Sequence, residues 1–186
     1  MRLAKALAKR VYWDSCAWIG LVNCEPNKIN PLRAIWEAAH RGEFEIWTSA
    51  YAYLEVIKGH SEYGTPYPPE ESDKIIEEML SQPYVQRIQL DVPIAKLARK
   101  LKRDYHEEGL RKRPDAVHLA SALYHNCDEM HTWDKKDLLH LTGKINRRDG
   151  RPLIIKIPGP DELGLFAPLA DKSEPPPLDI APKPGD

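Results

Sequence analysis

The stretch RVYWDSCAWIGLVN, residues 10–23, decides the fold of this chain. Its first part is a short apolar run that ends at Asp14, as in a buried strand, and its second part spaces apolar residues as a helix does. The chain therefore changes from strand to helix immediately after a carboxylate. In open α/β sheets, ligands bind outside the carboxyl ends of the strands, so Asp14 is predicted to lie where a site would form.

The same alternation of strand and helix continues along the chain. Further strands are predicted at residues 43–49, 84–90, 129–133 and 152–157. Helices are predicted at residues 15–23, 30–42, 50–59, 72–82, 92–108, 115–123 and 135–141, with a proline-rich loop at residues 60–71. Asn30 is the predicted N-cap of the second helix, and Gly59 the predicted end of the third. This order indicates an α/β fold, a three-layer α/β/α sandwich around a mainly parallel central sheet.

Length and composition are those of one domain followed by a tail. The 186 residues are 42% hydrophobic, which is enough for a single ordinary core. We assign residues 1–157 to that domain and residues 158–186, which hold eight of the 17 prolines, to an extended or disordered tail. The formal net charge of −1 argues against a surface coated in cations, so binding to nucleic acid would need local patches.

Cysteine use and hydropathy predict a soluble protein of the cytoplasm. Cys16, Cys24 and Cys127 are odd in number and lie in apolar surroundings without CxxC spacing, so reduced thiols in the core are expected. The basic start MRLAKALAKR lacks the long apolar region of an export signal, and no run reaches the roughly 18 apolar residues of a membrane helix. We therefore expect no membrane association.

Four acidic residues are predicted near the carboxyl ends of the strands. Asp14 and Asp134 follow strands, Asp115 opens a helix, and Glu55 lies within a helix beside apolar residues such as Leu54. Each has an ordinary explanation, the three aspartates as helix caps and the glutamate as a solvated side chain. Four carboxylates at one end of one sheet would nevertheless repel one another, and a divalent cation removes that conflict. Oxygen ligands alone favour Mg²⁺ or Mn²⁺, and such a site supports phosphodiester hydrolysis.

Three cations, Arg111, Lys112 and Arg113, stand before Asp115 and are separated from it only by Pro114. If the aspartate is a metal ligand, these cations would receive the negative backbone of the substrate. A solvated loop explains any one of them equally well. Further candidates for contact with a nucleic-acid strand are the basic helix KLARKLKR and the arginines Arg147, Arg148 and Arg151.

Four segments resemble, in order and spacing, the acidic motifs of PIN-domain ribonucleases, in particular the VapC-like toxins of bacterial and archaeal toxin–antitoxin pairs. The segments are VYWDSCAWIGLV, TSAYAYLEVIKG, RPDAVHLASAL and HTWDKKDL, and the resemblance covers about residues 10 to 157. It implies a compact α/β/α fold around a parallel sheet and metal-dependent endonucleolytic cleavage of RNA. It also implies a small antitoxin protein as partner and a homodimer.

The resemblance also implies roles for individual side chains. The positions that match metal ligands for Mg²⁺ or Mn²⁺ are Asp14 and Asp115 at the centre, Glu55 on a helix, Asp134 as the fourth acid and Asp137 as an auxiliary acid. Ser15 and Thr132 match hydroxyl residues that orient carboxylates or waters by hydrogen bonding. Cys16, Trp133 and the long loop at residues 60–71 depart from the usual pattern, although none of them removes an acid.

Two other functions stay open beside that of a toxin. One is a PIN-like module that binds RNA or protein without catalysis, although such a module would be expected to have lost an acid, and all four are present. The other is a stand-alone RNA-processing nuclease without an antitoxin. A structure-specific DNA nuclease would need insertions for which the chain has no room. His118 is expected to be a core or supporting histidine, because a di-iron site would need a second Glu-x-x-His-like motif.

Overall fold

Five parallel strands form one sheet at the centre of the fold. The structure, a computed structural model, describes residues 8–61 and 63–159. The strands are β1 (Lys9–Trp13), β2 (Phe44–Ser49), β3 (Val85–Ile88), β4 (Glu129–His131) and β5 (Ile154–Lys156). They lie in the order β3-β2-β1-β4-β5, and every neighbouring pair is parallel. All five predicted strands are confirmed, and the central position of β1 brings Asp14 to the middle of the carboxyl edge.

Helices cover both faces of the sheet. They are α1 (Ser15–Val22), α2 (Ile29–His40), α3 (Ala52–Glu55), α4 (Pro69–Leu80), α5 (Val92–Asp104) and α6 (Arg113–Tyr124), with a 3₁₀ helix at Leu139–Leu141. Side chains of β1 alternate between the faces, so Trp13 joins an apolar core with α1, α2 and α4, whereas Tyr12 joins one with α5 and α6. This arrangement confirms the predicted three-layer sandwich.

Three tryptophans hold β1 against the first two helices. Trp13 and Trp18 are fully buried with ring centroids 5.0 Å apart, and Trp36 of α2 lies edge-on to Trp18 at 6.0 Å. Such aromatic pairs add about 0.5–1.5 kcal/mol beyond the burial of their area. The indole Nε1 of Trp18 donates to Thr48 Oγ1 at 3.0 Å, so its polar atom has a partner inside the core. The turn that carries Asp14 therefore lies between a strand and a helix that are tightly packed against each other.

The third helix is much shorter than predicted. α3 ends at Glu55 because Val56 has extended backbone, with a ψ of 124°, so the prediction of a helix to Gly59 is wrong. The following backbone groups bond to a distant side chain: Asn23 Nδ2 donates to the Ile57 carbonyl at 3.0 Å, and the Gly59 N–H donates to Asn23 Oδ1 at 2.7 Å. These bonds replace those that further turns of helix would have made.

Other helix boundaries differ from the predicted ones by a few residues, as helix ends commonly do. α2 begins at Ile29, so Asn30 lies inside its first turn and is not the N-cap. α4 begins at Pro69, within the predicted loop, and α5 ends at Asp104. The last predicted helix is a run of turns followed by the 3₁₀ helix. The predicted elements therefore exist, apart from this one, with ends that differ from the predicted positions.

Some parts of the predicted organisation lie outside the described residues. These are the start of the chain, residues 1–7, and nearly all of the predicted tail, residues 160–186. Within the described ranges, none of the helices is long and apolar enough to cross a membrane. The three cysteines are free thiols; Cys127 is buried as predicted, but Cys24 is exposed and Cys16 is only partly buried.

Candidate metal centre at the carboxyl edge

Three aspartates meet at the carboxyl edge of the sheet and form what we call the acidic cluster: Asp115, Asp134 and Asp137. One carboxylate oxygen from each lies within 4.8 Å of the other two. Asp134 follows β4, and Asp115 lies in the first turn of α6. Asp115 is not a helix cap, because the N-cap of α6 is Lys112. Of the predicted metal ligands, the structure thus brings these three closest together.

Asp14 lies at the end of β1, directly beside the strand that leads to Asp134. Its Oδ1 accepts a hydrogen bond from the Ala17 N–H at 3.0 Å, so the carboxylate does cap α1. Burial raises the pKa of Asp14, while the charge of His118 and a hydrogen bond from Thr132 oppose that rise. Thr132 Oγ1 also accepts from the Asp134 N–H at 2.9 Å. Thr132 therefore bonds to the carboxylate of Asp14 and to the backbone of Asp134, and its orienting role stays a prediction.

Glu55 lies beside the acidic cluster and is held by two hydrogen bonds. Its Oε2 accepts from the Ser15 hydroxyl and lies 2.8 Å from His118 Nε2. Burial favours the neutral acid, but the bonds from His118 and Ser15 outweigh it and lower the pKa of Glu55. Its predicted inward direction is met only in part, since the flanking Leu54 and Ile57 are 74% and 65% exposed. Glu55 therefore keeps its negative charge at the margin of the site.

His118 is a residue of the site for which the sequence predicted only a core or supporting position. The ring is 2% exposed, and its Nδ1 lies 2.8 Å from the Tyr12 hydroxyl. The Ser49 N–H donates to that hydroxyl oxygen at 3.0 Å. Nε2 lies 2.8 Å from Glu55 Oε2 and 3.0 Å from Ser15 Oγ; because an ionised carboxylate only accepts, Nε2 carries a proton and donates it to Glu55. A chain of hydrogen bonds thus runs from the end of β2 to the carboxylate of α3.

Lys112 points into the acidic cluster. Its Nζ lies 2.6 Å from an oxygen of Asp137, 3.1 Å from one of Asp134 and 3.6 Å from Asp115 Oδ2. Its hydrogen bond to Asp137 is the largest of the effects that raise the pKa of Lys112 well above the usual value, so the ammonium stays charged. The arginines on either side of it are exposed. All three cations predicted to bind substrate are therefore exposed, with 59% of the Lys112 side chain accessible, and the ammonium of Lys112 also lies against the acids.

One buried oxygen of the acidic cluster has no hydrogen bond within the described part of the chain. This atom is Asp115 Oδ2, which Lys112 Nζ approaches only to 3.6 Å. Burial raises the pKa of Asp115 to about 6, and the charges of the neighbouring aspartates add to the rise, although Lys112 lowers it. At neutral pH the carboxylate is mainly charged and incompletely compensated. A hard cation with oxygen ligands, such as Mg²⁺ or Mn²⁺, fits an oxygen of this kind.

Arg147 lies at the opposite edge of the sheet from the acids. Its buried guanidinium pairs with Asp128 at 2.7 Å. Asp128 precedes β4 and its N–H donates to the carbonyl of Arg10 in β1 at 2.8 Å, which puts this network at the amino ends of the strands. Arg148 and Arg151 belong to the same loop. The prediction that Arg147 contacts a nucleic-acid strand is therefore wrong, because its guanidinium is buried in this network. Arg148 and Arg151 are exposed at this same edge, away from the acids, and contact between them and a nucleic-acid strand stays a prediction.

Comparison with known proteins agrees with this architecture. The family model described as PIN domain matches residues 11–143. A structure of VapBC2 from Rickettsia felis, bound to a DNA fragment from its promoter, is similar with a TM-score of 0.54 at 14% identity, over 80% of this chain and 98% of that chain. Mycobacterium tuberculosis VapC20, a sarcin–ricin loop cleaving toxin, is similar with a TM-score of 0.52 at 12% identity, over 67% and 89% of the two chains. No curated protein matches significantly.

The matched region contains the carboxyl ends of β1 to β4. Residues 11–143 cover more than half of the chain and include every predicted metal ligand, from Asp14 to Asp137. The two structural similarities, at low sequence identity, show the same fold. The chain therefore belongs to the PIN domain family.

Proposed function

We propose that this protein is a metal-dependent endoribonuclease that acts as the toxin of a toxin–antitoxin pair. The observation that carries the proposal is the buried, incompletely compensated oxygen of Asp115 within a cluster of three aspartates, in a chain of the PIN domain family. Three carboxylates within 4.8 Å of one another repel each other and destabilise the fold, so a role in folding does not explain why they lie together.

The proposed metal ligands are Asp14, Glu55, Asp115, Asp134 and Asp137, for Mg²⁺ or Mn²⁺. A bound ion supplies a Lewis acid for a phosphoryl oxygen and a water molecule of lowered pKa. Ser15 and His118 hold the carboxylate of Glu55, and Thr132 bonds to the carboxylate of Asp14 and to the backbone N–H of Asp134. Hydrolysis places hydroxide on phosphorus and a proton on the leaving oxygen. The contribution of the chain is to hold its carboxylates in one arrangement before the substrate arrives.

RNA is the proposed substrate, and two arginines are proposed to bind its backbone. Arg111 and Arg113 are exposed on either side of Lys112, at the start of the helix that carries Asp115. Guanidinium groups in this position can pair with phosphates that flank the cleaved bond. The similarity to a sarcin–ricin loop cleaving toxin supports RNA as the substrate class.

An antitoxin and a homodimer are proposed on the same family basis. The similarity to VapBC2, whose structure contains promoter DNA, supports a partner that binds DNA. Co-expression with the product of an adjacent reading frame that encodes a small DNA-binding protein is expected to give a stable complex that does not cleave RNA. If the two proteins separate on a sizing column, the stand-alone RNA-processing nuclease becomes the better description.

Removal of the metal is expected to abolish cleavage completely. Purified protein incubated with a mixed pool of structured RNAs should produce discrete fragments with Mn²⁺ or Mg²⁺ and none with EDTA, because the carboxylates alone offer no Lewis acid. Fragment patterns on a denaturing gel give the measurement. Intact RNA in every lane, together with retained RNA binding and no co-purified inhibitor, would favour the non-catalytic module.

The two exposed arginines are expected to contribute to RNA binding and not to stability. Arg111→Gln and Arg113→Gln should each weaken RNA binding several-fold and lower the salt dependence of binding by about one counterion, since each removes one phosphate contact. Arg151→Gln, at the opposite edge of the sheet, is the matched control and should change neither quantity. Binding measured by fluorescence anisotropy over a range of salt concentrations tests this. Equal effects of all three substitutions would contradict the proposed surface.

A further inference from the structure

The ammonium of Lys112 lies at unequal distances from the three carboxylates of the acidic cluster. Its ammonium is closest to Asp137, at 2.6 Å, intermediate from Asp134, at 3.1 Å, and farthest from Asp115, at 3.6 Å. The carboxylate of Asp137 is almost fully buried, with 5% of its side chain exposed. Lys112 therefore compensates one side of the cluster more completely than the other.

A lysine side chain is well suited to this position. It offers three N–H donors and a compact charge, and the cluster offers three carboxylates. Lys112 reaches the cluster from the N-cap of α6, three residues before Asp115, so the same helix start supplies both the cation and one of the acids. An ammonium so close to Asp134 and Asp137 excludes a divalent ion from the same position, because two cations in contact repel each other strongly.

The ammonium of Lys112 offsets one of the three negative charges of the acidic cluster. The cluster and the lysine together carry a formal charge of −2, to which Asp14 and Glu55 add two further negative charges, so the position of the lysine and not the charge count limits the number of ions. The oxygen that Lys112 compensates least is Asp115 Oδ2, the buried atom without a hydrogen bond. The side of the cluster that remains for a metal ion is therefore the side of Asp115.

We propose that the ammonium of Lys112 is the permanent second cation of this site, so that the protein binds one divalent ion where its carboxylates alone would bind two. The proposal rests on the proposed function, since it requires that the site binds a metal. It assigns Lys112 to the acids instead of to the RNA surface formed by its two neighbours. In this role the lysine positions the carboxylates and supplies a fixed positive charge beside the ion.

The number of Mn²⁺ ions bound per chain tests the proposal without RNA. We expect the wild-type protein to bind one ion, measured by calorimetry and by the loss of the free Mn²⁺ signal in electron paramagnetic resonance. Lys112→Gln should bind two, because the second position becomes available to an ion. Lys112→Arg, which keeps the charge, and Arg111→Gln, which removes an adjacent exposed charge, should each bind one. Thermal unfolding of each variant checks that the fold is intact.

The possible results separate this inference from the proposed function. Two ions on the wild-type protein, or one ion on both the wild type and Lys112→Gln, would overturn the role of Lys112 and leave the metal site standing. If Arg111→Gln binds two ions, then loss of any nearby positive charge raises the number of ions bound, and the specific role of Lys112 is overturned as well. If no variant binds Mn²⁺, the metal-dependent nuclease fails, and this inference fails with it.

Discussion

Asp14→Asn and Asp115→Asn are each expected to reduce the rate of RNA cleavage by at least ~10³-fold. Loss of a metal ligand removes several kcal/mol of stabilisation from the transition state, and each 1.4 kcal/mol is a factor of about ten in rate. Single-turnover cleavage of one structured RNA with saturating Mn²⁺ gives the rates. Asp104→Asn, which changes an exposed aspartate paired with Lys100 on α5, is the matched control and should cleave normally.

The same substitution at Asp115 is expected to stabilise the fold in EDTA. The pKa of Asp115 in the folded protein is raised to about 6 from an ordinary value of 3.8, so the folded state holds its proton more tightly than the unfolded state does. The wild type therefore loses stability relative to Asp115→Asn as the pH rises from about 4 to about 6. Above that range the melting temperature of the variant should be higher by about 2–4 °C, or ~1 kcal/mol after screening.

Melting curves between pH 4 and pH 8 test this pH dependence. The wild type and Asp115→Asn should unfold at nearly the same temperature at the acid end and diverge towards neutral pH. A variant that is less stable than the wild type at pH 8 would mean that Lys112 compensates Asp115 fully.

Persistent cleavage by Asp14→Asn or Asp115→Asn at the wild-type rate would remove those residues from the metal site.

His118→Leu is expected to destabilise the protein by about 2–4 kcal/mol and to impair cleavage. The substitution leaves the buried Tyr12 hydroxyl and the Glu55 carboxylate each without one partner, and each such loss costs about 1–3 kcal/mol. For a chain of this size, the melting temperature should fall by roughly 5–15 °C. Cleavage should fall because Glu55 is no longer held in a single position.

A second variant separates the packing of His118 from its hydrogen bonds. His118→Gln keeps a donor for Glu55, so it should recover part of both the stability and the activity that His118→Leu loses. His106→Leu changes an exposed histidine and serves as the control. Thermal unfolding and single-turnover cleavage, measured on the same preparations, give both quantities. If His118→Leu unfolds at the same temperature as the wild type, the hydrogen-bond chain from β2 to α3 contributes nothing to the stability of the fold.

Much of the site could be predicted from local sequence. An apolar run followed by an aspartate and then by helical spacing identified Asp14 at the end of a strand, and the same reasoning located Asp134. Asp115 was correctly found at the start of a helix, and the alternative that it caps this helix is wrong, because Lys112 is the N-cap. The signal for His118 was a polar residue three positions after Asp115 on a mostly apolar helix, which does not reveal its partners on other elements.

The sequence by itself determined the fold class, the five strands and the positions of the acids along the chain, because hydrophobic periodicity and turn residues act over short distances. The tertiary structure alone decided the order of the strands, the early end of α3, the burial of Arg147 and the turn of Lys112 into the acids. Each of these depends on contacts between residues far apart in the chain. The energy of such a contact depends on both segments together, so neither segment predicts it alone.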